Sequence, residues 1–148
     1  MRIPVLAKPL RLIPEVHRAT HRIGIFLDSL GITQGEGHIL SHLAASGDTS
    51  ITELHRALAH RRSTLTSILD RLAERQYISR ESDPKDRRSF IVRLSKKGKT
   101  IAVQVHRELA RIEESALKGV NGHQFRSVVK VLESLEKTAD RASPRKPE

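Results

Sequence analysis

The chain has 148 residues, enough for one folded domain with its own core but too few for two, so we expect one folding unit. Lys and Arg outnumber Asp and Glu by 27 to 17, and the net charge of +10 favours a polyanionic partner or an acidic membrane surface. The sequence contains no cysteine, which excludes a disulfide framework, a thiolate metal site and a thiol redox switch.

The first 47 residues predict two helices. Apolar residues recur at helical spacing over residues 12–30, and Gly31 stands where a helix C-cap is expected. The pair Thr33 and Glu36 has the spacing of a capping box, which opens a second helix that ends near Gly47.

Two short helices follow, joined by a tight turn at residues 59–62. Ser50 or Thr52 caps the third helix, and Ser63 caps the fourth. The core face of the fourth helix is predicted to carry Leu65, Ile68, Leu69 and Leu72. Its outer face carries Ser63, Ser67, Asp70 and Glu74, flanked by Thr64, Thr66 and Arg71. Small hydroxyl residues let a helix approach base edges closely, although solvent-facing and capping roles are the alternative.

A basic β-hairpin comes directly after the short helix pair. The hydrophobic period changes to two after Tyr77, which predicts strands at Ile78–Glu81 and Phe90–Leu94 joined through residues 83–86. The cations near its tip are Lys85, Arg87 and Arg88. Such side chains can enter a minor groove or clamp phosphates, although a solvated charged loop is the alternative. A helix pair followed by a basic hairpin is the order of a winged helix-turn-helix.

The C-terminal region predicts two long helices. Ser95 caps the first, and Asn121 opens the second. The apolar residues of the last helix are Phe125, Val128, Val129, Leu132, Leu135 and Ala139. Both helices are longer than a small core requires. The last one is rich in Val and Leu and has no obvious partner in so small a core, which predicts the seam of a two-fold dimer. Residues 143–148 are polar and aperiodic, and we expect them to be disordered.

The hairpin sequence resembles a known family. The run DRRSFIVRLS at residues 86–95, preceded by Asp83-Pro84-Lys85 and followed by Gly98, resembles the wing signature D-x-R-S-x-x-V-x-L-T of the multiple antibiotic resistance regulator (MarR) family. Ser95 replaces the final Thr and keeps the capping hydroxyl. Residues 63–66 and 69–72 resemble the recognition helix of the same family, and the helix order matches from Leu12 to Ala139.

The resemblance implies a mainly α fold with a small β-hairpin wing, in which a winged helix-turn-helix domain is flanked by N- and C-terminal dimerisation helices. The parts would be an N-terminal dimerisation helix (1–32), a DNA-binding region (33–98, wing 78–95), C-terminal dimerisation helices (99–141) and a disordered tail (142–148). It also implies a homodimeric, ligand-responsive repressor or activator in the cytoplasm, associated with the nucleoid of a bacterium or archaeon. Two recognition helices roughly 34 Å apart would require a pseudo-palindromic operator on double-stranded DNA.

The resemblance also assigns residues by position. Those expected to face the major groove are Ser63, Thr64, Thr66, Ser67 and Arg71. Those expected at the minor groove or nearby phosphates are Lys85, Arg87 and Arg88. Asp86 is expected to orient the wing by pairing with an arginine. Arg61 and Arg62 stand at the start of the recognition helix and are assigned to backbone phosphates.

Eight histidines raise the question of a ligand site. His38 and His42 lie at i and i+4 and could bind a metal from one helix face, with His106 as a third ligand. No cysteine or nearby acid cluster completes the set, so we expect no metal and no cofactor. An organic effector pocket lined by His17, His21, His38 or His42 is one alternative, and a protein without an effector is another.

Two further classes compete with a specific regulator. An enzyme would need convergent catalytic groups, and the sequence shows no G-x-S-x-G, P-loop, cysteine nucleophile or H-E-x-x-H. We therefore expect no enzyme. A nonspecific architectural DNA-binding protein is allowed equally by the charge. Apolar runs of only a few residues predict neither a membrane span nor a secretory signal, so we expect a cytoplasmic protein without a membrane partner.

Overall fold

A computed structural model describes residues 7–143, and over this range six helices and the two strands of the hairpin follow the predicted order, with one further short strand. The helices are α1 (Ile13–Ser29), α2 (Gln34–Ser46), α3 (Ile51–Leu58), α4 (Arg62–Glu74), α5 (Lys96–Ala116) and α6 (Gly122–Ala142). The strands are β1 (Thr49–Ser50), β2 (Ile78–Ser82) and β3 (Phe90–Leu94). The mainly α fold with a small wing is confirmed. Of the predicted tail, Ala142 ends α6, Ser143 is its C-cap, and 144–148 lie outside the described residues.

Capping boxes fix where three of the helices begin. The Thr33 hydroxyl accepts the backbone N–H of Glu36 while the Glu36 carboxylate accepts the N–H of Thr33, as predicted for the start of α2. Ser50, rather than Thr52, forms the corresponding box at α3. Asn121 opens α6 in the same way. Sequence alone therefore located these starts to within a residue or two.

The start of α4 differs from the prediction. Arg61 is the N-cap residue and makes no side-chain capping bond, so Ser63 is not the cap and lies inside the first turn. The preceding turn contains Ala59 in the left-handed region at φ 51°, and the Leu65 N–H reaches the Arg61 carbonyl at 2.9 Å. Because the turn closes early, the helix begins before the first hydroxyl residue.

The core of the first compact unit, which ends at Ala110, is built by helix faces packed around α4. All four predicted core residues of α4 are at most 3% exposed. They pack in a cluster with Leu27, Ile32, Ile39, Leu40, Leu43, Leu54, Ile78, Val92, Ala102 and Val105, among others. Burial of this stripe fixes the rotation of α4, because the opposite face of the helix must then point outward.

The wing belongs to a three-stranded antiparallel sheet with the order β1-β3-β2. Strands β2 and β3 are the predicted hairpin, with Ile78 opposite Leu94 and Ser82 opposite Phe90. The sequence analysis did not predict β1, since two residues are too few to show an alternating pattern. Thr49 of β1 lies opposite Val92, so the short strand attaches the base of the wing to the link between α2 and α3.

The first turn of α5 crosses the backbone just before β2. The Ser95 hydroxyl accepts the Gly98 N–H at 2.9 Å, which confirms the predicted cap, and donates to the Gln76 carbonyl at 2.6 Å. The Ser95 N–H donates to the Tyr77 carbonyl at 3.0 Å. A Cβ built on Gly98 would lie 1.8 Å from that same carbonyl oxygen, so the crossing requires glycine.

The second compact unit, from Arg111 onward, contains the end of α5 and all of α6. No side chain of α6 is buried, although its apolar residues were predicted to lie inside. Phe125, Val128 and Leu132 are between 43% and 54% exposed. The described residues of one chain therefore leave the predicted seam uncovered. None of the helices between residues 7 and 143 combines the length and apolarity needed to cross a membrane.

We expect Gly98→Ala to lower the free energy of unfolding by about 3 kcal/mol, because the added methyl group overlaps backbone rather than a movable side chain. Urea denaturation followed by circular dichroism measures the change. Gly122→Ala is the matched control, since the nearest atom there is the Arg126 Nη1 at 3.3 Å on a flexible side chain. It should stay within about 1 kcal/mol of the parent. Equal effects of both changes would contradict the proposed role of the crossing.

Candidate nucleic-acid interface

The outer face of α4 presents a row of small hydroxyl side chains. Ser63, Thr64, Thr66 and Ser67 are all exposed, as the sequence predicted. The hydroxyl of Thr66 donates to the Arg62 carbonyl at 2.9 Å, and that of Ser67 donates to the Ser63 carbonyl at 3.1 Å. These bonds occupy the hydroxyl protons and leave the oxygen lone pairs available. The face can therefore accept hydrogen bonds and admits close approach of another surface.

The leading end of α4 favours an anion. Its first turn contains no acidic residue, and its N-cap makes no side-chain bond to the first backbone N–H groups. Arg61 and Arg62 are exposed, and neither forms an ion pair within the described part of the chain. Unpaired N–H groups and the positive end of the helix dipole attract phosphate oxygens.

The wing tip holds three more exposed cations on a loop stabilised by its own acids. The Asp83 carboxylate accepts the backbone N–H of Lys85 at 2.9 Å, and the Asp86 carboxylate accepts that of Arg88 at 3.0 Å. Within the described range Asp86 therefore pairs with a backbone N–H two residues ahead and not, as expected, with an arginine side chain. Across residues 7–143, Lys85, Arg87 and Arg88 form no ion pair and remain free to meet a partner.

Ion pairs that the sequence analysis missed join the wing to the rest of the unit. The Arg80 Nη2 lies 2.7 Å from the Asp70 Oδ1 and connects β2 to α4. The Arg93 Nε lies 2.9 Å from the Asp48 Oδ2, which connects β3 to the link before β1. These partners lie 10 and 45 residues apart, and the packing of α4 against β2 and the pairing of β1 with β3 bring them together. The pairs fix the base of the hairpin while its tip stays unpaired.

Arg71, predicted to face the major groove, lies in a different setting from the hydroxyl residues. Its side chain is 47% exposed, and its Nε lies 3.2 Å from the Oε1 of Glu36, a carboxylate whose side chain is only 3% exposed. Arg75 reaches the Oε2 of the same carboxylate at 3.0 Å and also donates to the Gly31 carbonyl at 2.9 Å. The sequence identified Glu36 as a capping residue but not as the partner of two arginines.

Two ionisable groups of the first unit have shifted pKa values. The backbone N–H and the hydroxyl of Ser50 lower the pKa of the Glu53 carboxyl, because both donate to its charged form. Partial burial lowers the pKa of His38 below its usual 6.5, and the nearby positive charge of His60 lowers it further. His38 lies in α2 and Glu53 lies in α3, the two helices that precede α4 in the chain.

The histidines lie in several different settings. In the region that the structure describes, no group of three His, Asp or Glu side chains is placed to hold a metal ion. The His106 Nδ1 instead lies 2.9 Å from the Ser41 hydroxyl. His17 and His21 stack with ring centroids 5.7 Å apart on the exposed side of α1. His42 adjoins an open cleft of about 340 Å³ whose other lining residues are Ser46, Asp48, Thr49, Glu53, Arg56 and Ala57.

Comparison with known proteins gives a consistent result. The sequence model of the MarR family matches residues 32–90. The multiple antibiotic resistance protein MarR of Salmonella typhimurium is 32% identical over 97 residues, which cover 65% of this chain and 67% of that protein.

Solved structures share the fold. The transcription regulator MarR of Oenococcus oeni superposes with a TM-score of 0.74 at 19% identity, covering 85% of this chain and 96% of that one. A mutant MarR from E. coli, solved in complex with operator DNA, gives a TM-score of 0.66 at 24% identity and covers 84% and 91% of the two chains.

We expect acid to destabilise the protein through His38. Since burial depresses the pKa of His38 in the folded state, the unfolded chain takes up the proton at higher pH. The free energy of unfolding should be unaffected by His38 above pH 6.5 and should fall as the pH drops from 6.5 through the folded pKa. His38→Gln should make this decline shallower, which denaturant titrations between about pH 7.5 and about pH 5.5 measure. Declines of equal steepness in parent and variant would refute the assignment.

Proposed function

This chain belongs to the MarR family, and on that premise we propose that it is a sequence-specific DNA-binding transcriptional regulator rather than an enzyme. We take it to be a homodimeric repressor of a pseudo-palindromic operator. The observation that carries this proposal is the pairing, in one compact unit, of the exposed hydroxyl face of α4 with unpaired cations at both its leading end and the wing tip. The E. coli relative solved with operator DNA has the same fold, which supports a DNA partner.

In the proposed complex, α4 enters the major groove of double-stranded DNA. The contacting residues would be Ser63, Thr64, Thr66, Ser67 and Arg71, with Arg61 and Arg62 on backbone phosphates. The wing would place Arg87 or Arg88 in the adjacent minor groove, with Lys85 beside them. Hydroxyl and guanidinium groups can read base edges, whereas exposed cations fix the register on the phosphates.

The exposed apolar side chains support a homodimer. Phe125, Val128 and Leu132 line one side of α6, and Ile13 and Ile25 of α1 are also about half exposed. Apolar stripes of this kind on a single chain are typical of an interface. A two-fold axis would set the two recognition helices one DNA turn apart, roughly 34 Å, and would impose matching symmetry on the operator.

The proposal extends to regulation and location. A small-molecule effector would change DNA affinity, and His17, His21, His38 and His42 are the candidate contacts for it. Because the target is chromosomal DNA, the protein would act at the nucleoid in the cytoplasm of a bacterium or archaeon.

A nonspecific architectural DNA-binding protein is the second candidate, and the net charge of +10 favours it as much as the first. Selection of genomic fragments on the purified protein, followed by sequencing, identifies an operator if one exists. Competition binding then separates the two classes. A regulator should prefer its operator over random duplex by about a thousandfold or more, whereas an architectural protein should show no such preference.

We expect Arg87→Ala and Arg88→Ala each to weaken operator binding several-fold without unfolding the protein, because the wing tip contributes little to the core. Fluorescence anisotropy over a salt series measures the effect. Loss of one phosphate contact should reduce the slope of log K against log salt by about 0.9. Lys137→Ala on α6 removes the same charge far along the chain and serves as control. Parental affinity in both wing variants would remove the wing from the interface.

We expect Leu132→Asp to dissociate the dimer, since a carboxylate would be buried at an apolar seam. Light scattering gives the mass in solution, and DNA binding should fall as a consequence. Lys130→Asp introduces the same carboxylate at an exposed position on the same helix and should leave the dimer intact. An intact dimer in the Leu132 variant would place the seam elsewhere.

A further inference from the structure

A buried carboxylate lies behind the proposed recognition helix. Glu36, in the first turn of α2, is 2% exposed. Removing a carboxylate from water is costly unless charged and polar groups surround it. Glu36 meets that requirement, since no buried side-chain nitrogen or oxygen among the described residues lacks a hydrogen-bond partner.

The two oxygens of this carboxylate bind different groups. Oε1 lies 3.2 Å from the Nε of Arg71, and Oε2 lies 3.0 Å from the Nη1 of Arg75. Oε2 also accepts the Thr33 backbone N–H at 3.3 Å, which completes the capping box. Glu36 therefore joins the start of α2 to the last turn of α4 and to its C-cap residue, Arg75, through one charged group.

Arg75 extends the network beyond α4. It donates to the Gly31 carbonyl after α1 and, through Nη2, to the Tyr77 hydroxyl at 3.3 Å. Its guanidinium lies 4.8 Å from the centre of the Tyr77 ring, and the Lys97 ammonium lies 5.1 Å from the same ring. The C-terminal end of α4 is thereby fixed against the segments on either side of it.

Arg71 uses only part of its guanidinium in this network. Its Nε is bonded to Glu36, and its two terminal nitrogens form no hydrogen bond with any residue from 7 to 143. Since a guanidinium is planar and rigid, fixing the Nε direction also fixes where the terminal N–H groups point. The side chain is 47% exposed, and Arg71 lies between about one and two turns along α4 from the hydroxyl residues.

We propose that Glu36 is a positioning residue for operator recognition, which holds the Arg71 guanidinium with its terminal nitrogens presented to DNA. This inference rests on the proposed DNA-binding function. Glu36 itself is buried and does not touch DNA. Its role is to restrict the rotamers of Arg71 before DNA binds. The conformational entropy of this side chain is then not lost when the complex forms.

Glu36→Gln tests the inference with little change in shape. Glutamine also serves at the third position of a capping box, so the start of α2 should persist. Glutamine has one acceptor oxygen, and the Thr33 N–H and Arg75 both require it, so the amide nitrogen faces the Arg71 Nε and cannot accept its proton. Arg71 thereby loses its fixed direction. We expect the affinity for the selected operator to fall about tenfold while the affinity for random duplex does not fall, so the specificity ratio falls about tenfold.

Glu133→Gln is the matched control, since it makes the same charge change at an exposed position of α6, outside the residues proposed to contact DNA. It should change the specificity ratio by less than about twofold. A comparable fall of the ratio in this control would overturn the inference. So would an equal loss of both affinities in the Glu36 variant together with a lower melting temperature, because that pattern indicates a purely structural role.

A double-mutant cycle with Arg71→Ala measures how far Glu36 and Arg71 depend on each other in operator binding. If Glu36 acts through Arg71, Glu36→Gln should change operator affinity by less than about twofold once Arg71 is alanine. Additive losses would overturn the inference. Arg71→Lys keeps the charge without the Nε donor and should lower the specificity ratio as Glu36→Gln does, whereas a parental ratio would contradict the proposal. A parent protein that does not prefer any operator would instead refute the proposed function itself.

Discussion

The close crossing of Gly98 over the Tyr77 carbonyl determines where the wing begins and ends. Strand β2 starts one residue after Tyr77, and β3 ends one residue before the Ser95 cap. Both ends of the hairpin are therefore attached at one place, where only hydrogen fits between the two backbones. Because its base cannot move without breaking this contact, the wing has a defined position beside α4, and only its tip is left without tertiary support.

The distribution of charge follows from that arrangement. Four acids close to the recognition surface are already engaged: Asp70 with Arg80, Glu36 with two arginines, and Asp83 and Asp86 with backbone N–H groups. Cations at the start of α4 and at the wing tip have no such partners among the residues described. The excess positive charge is thus concentrated at two places that one duplex could contact together, which a formal net charge alone does not reveal.

Local rules in the sequence were sufficient for most of the fold. Capping boxes, helical periodicity and the change to alternation after Tyr77 gave the order and nearly all bounds of the elements, and the wing motif identified the family. The predictions that were wrong or missing concern features that depend on tertiary contacts. β1 exists only because β3 offers it a partner, and the start of α4 was set by the left-handed turn at Ala59. The partners of Glu36 are 35 and 39 residues away, beyond the reach of any local pattern.

The missing side-chain cap at Arg61 has a thermodynamic consequence. Among the residues that the structure describes, no side-chain cap completes the N-terminal amides of the proposed recognition helix, and its first turn contains no acid. Phosphate oxygens would supply those missing acceptors, so occupancy by nucleic acid would also consolidate the first turn of the helix. Formation of this helical turn and binding of DNA would then be linked equilibria. Hydrogen exchange of the amides in this turn would become slower when the duplex is bound.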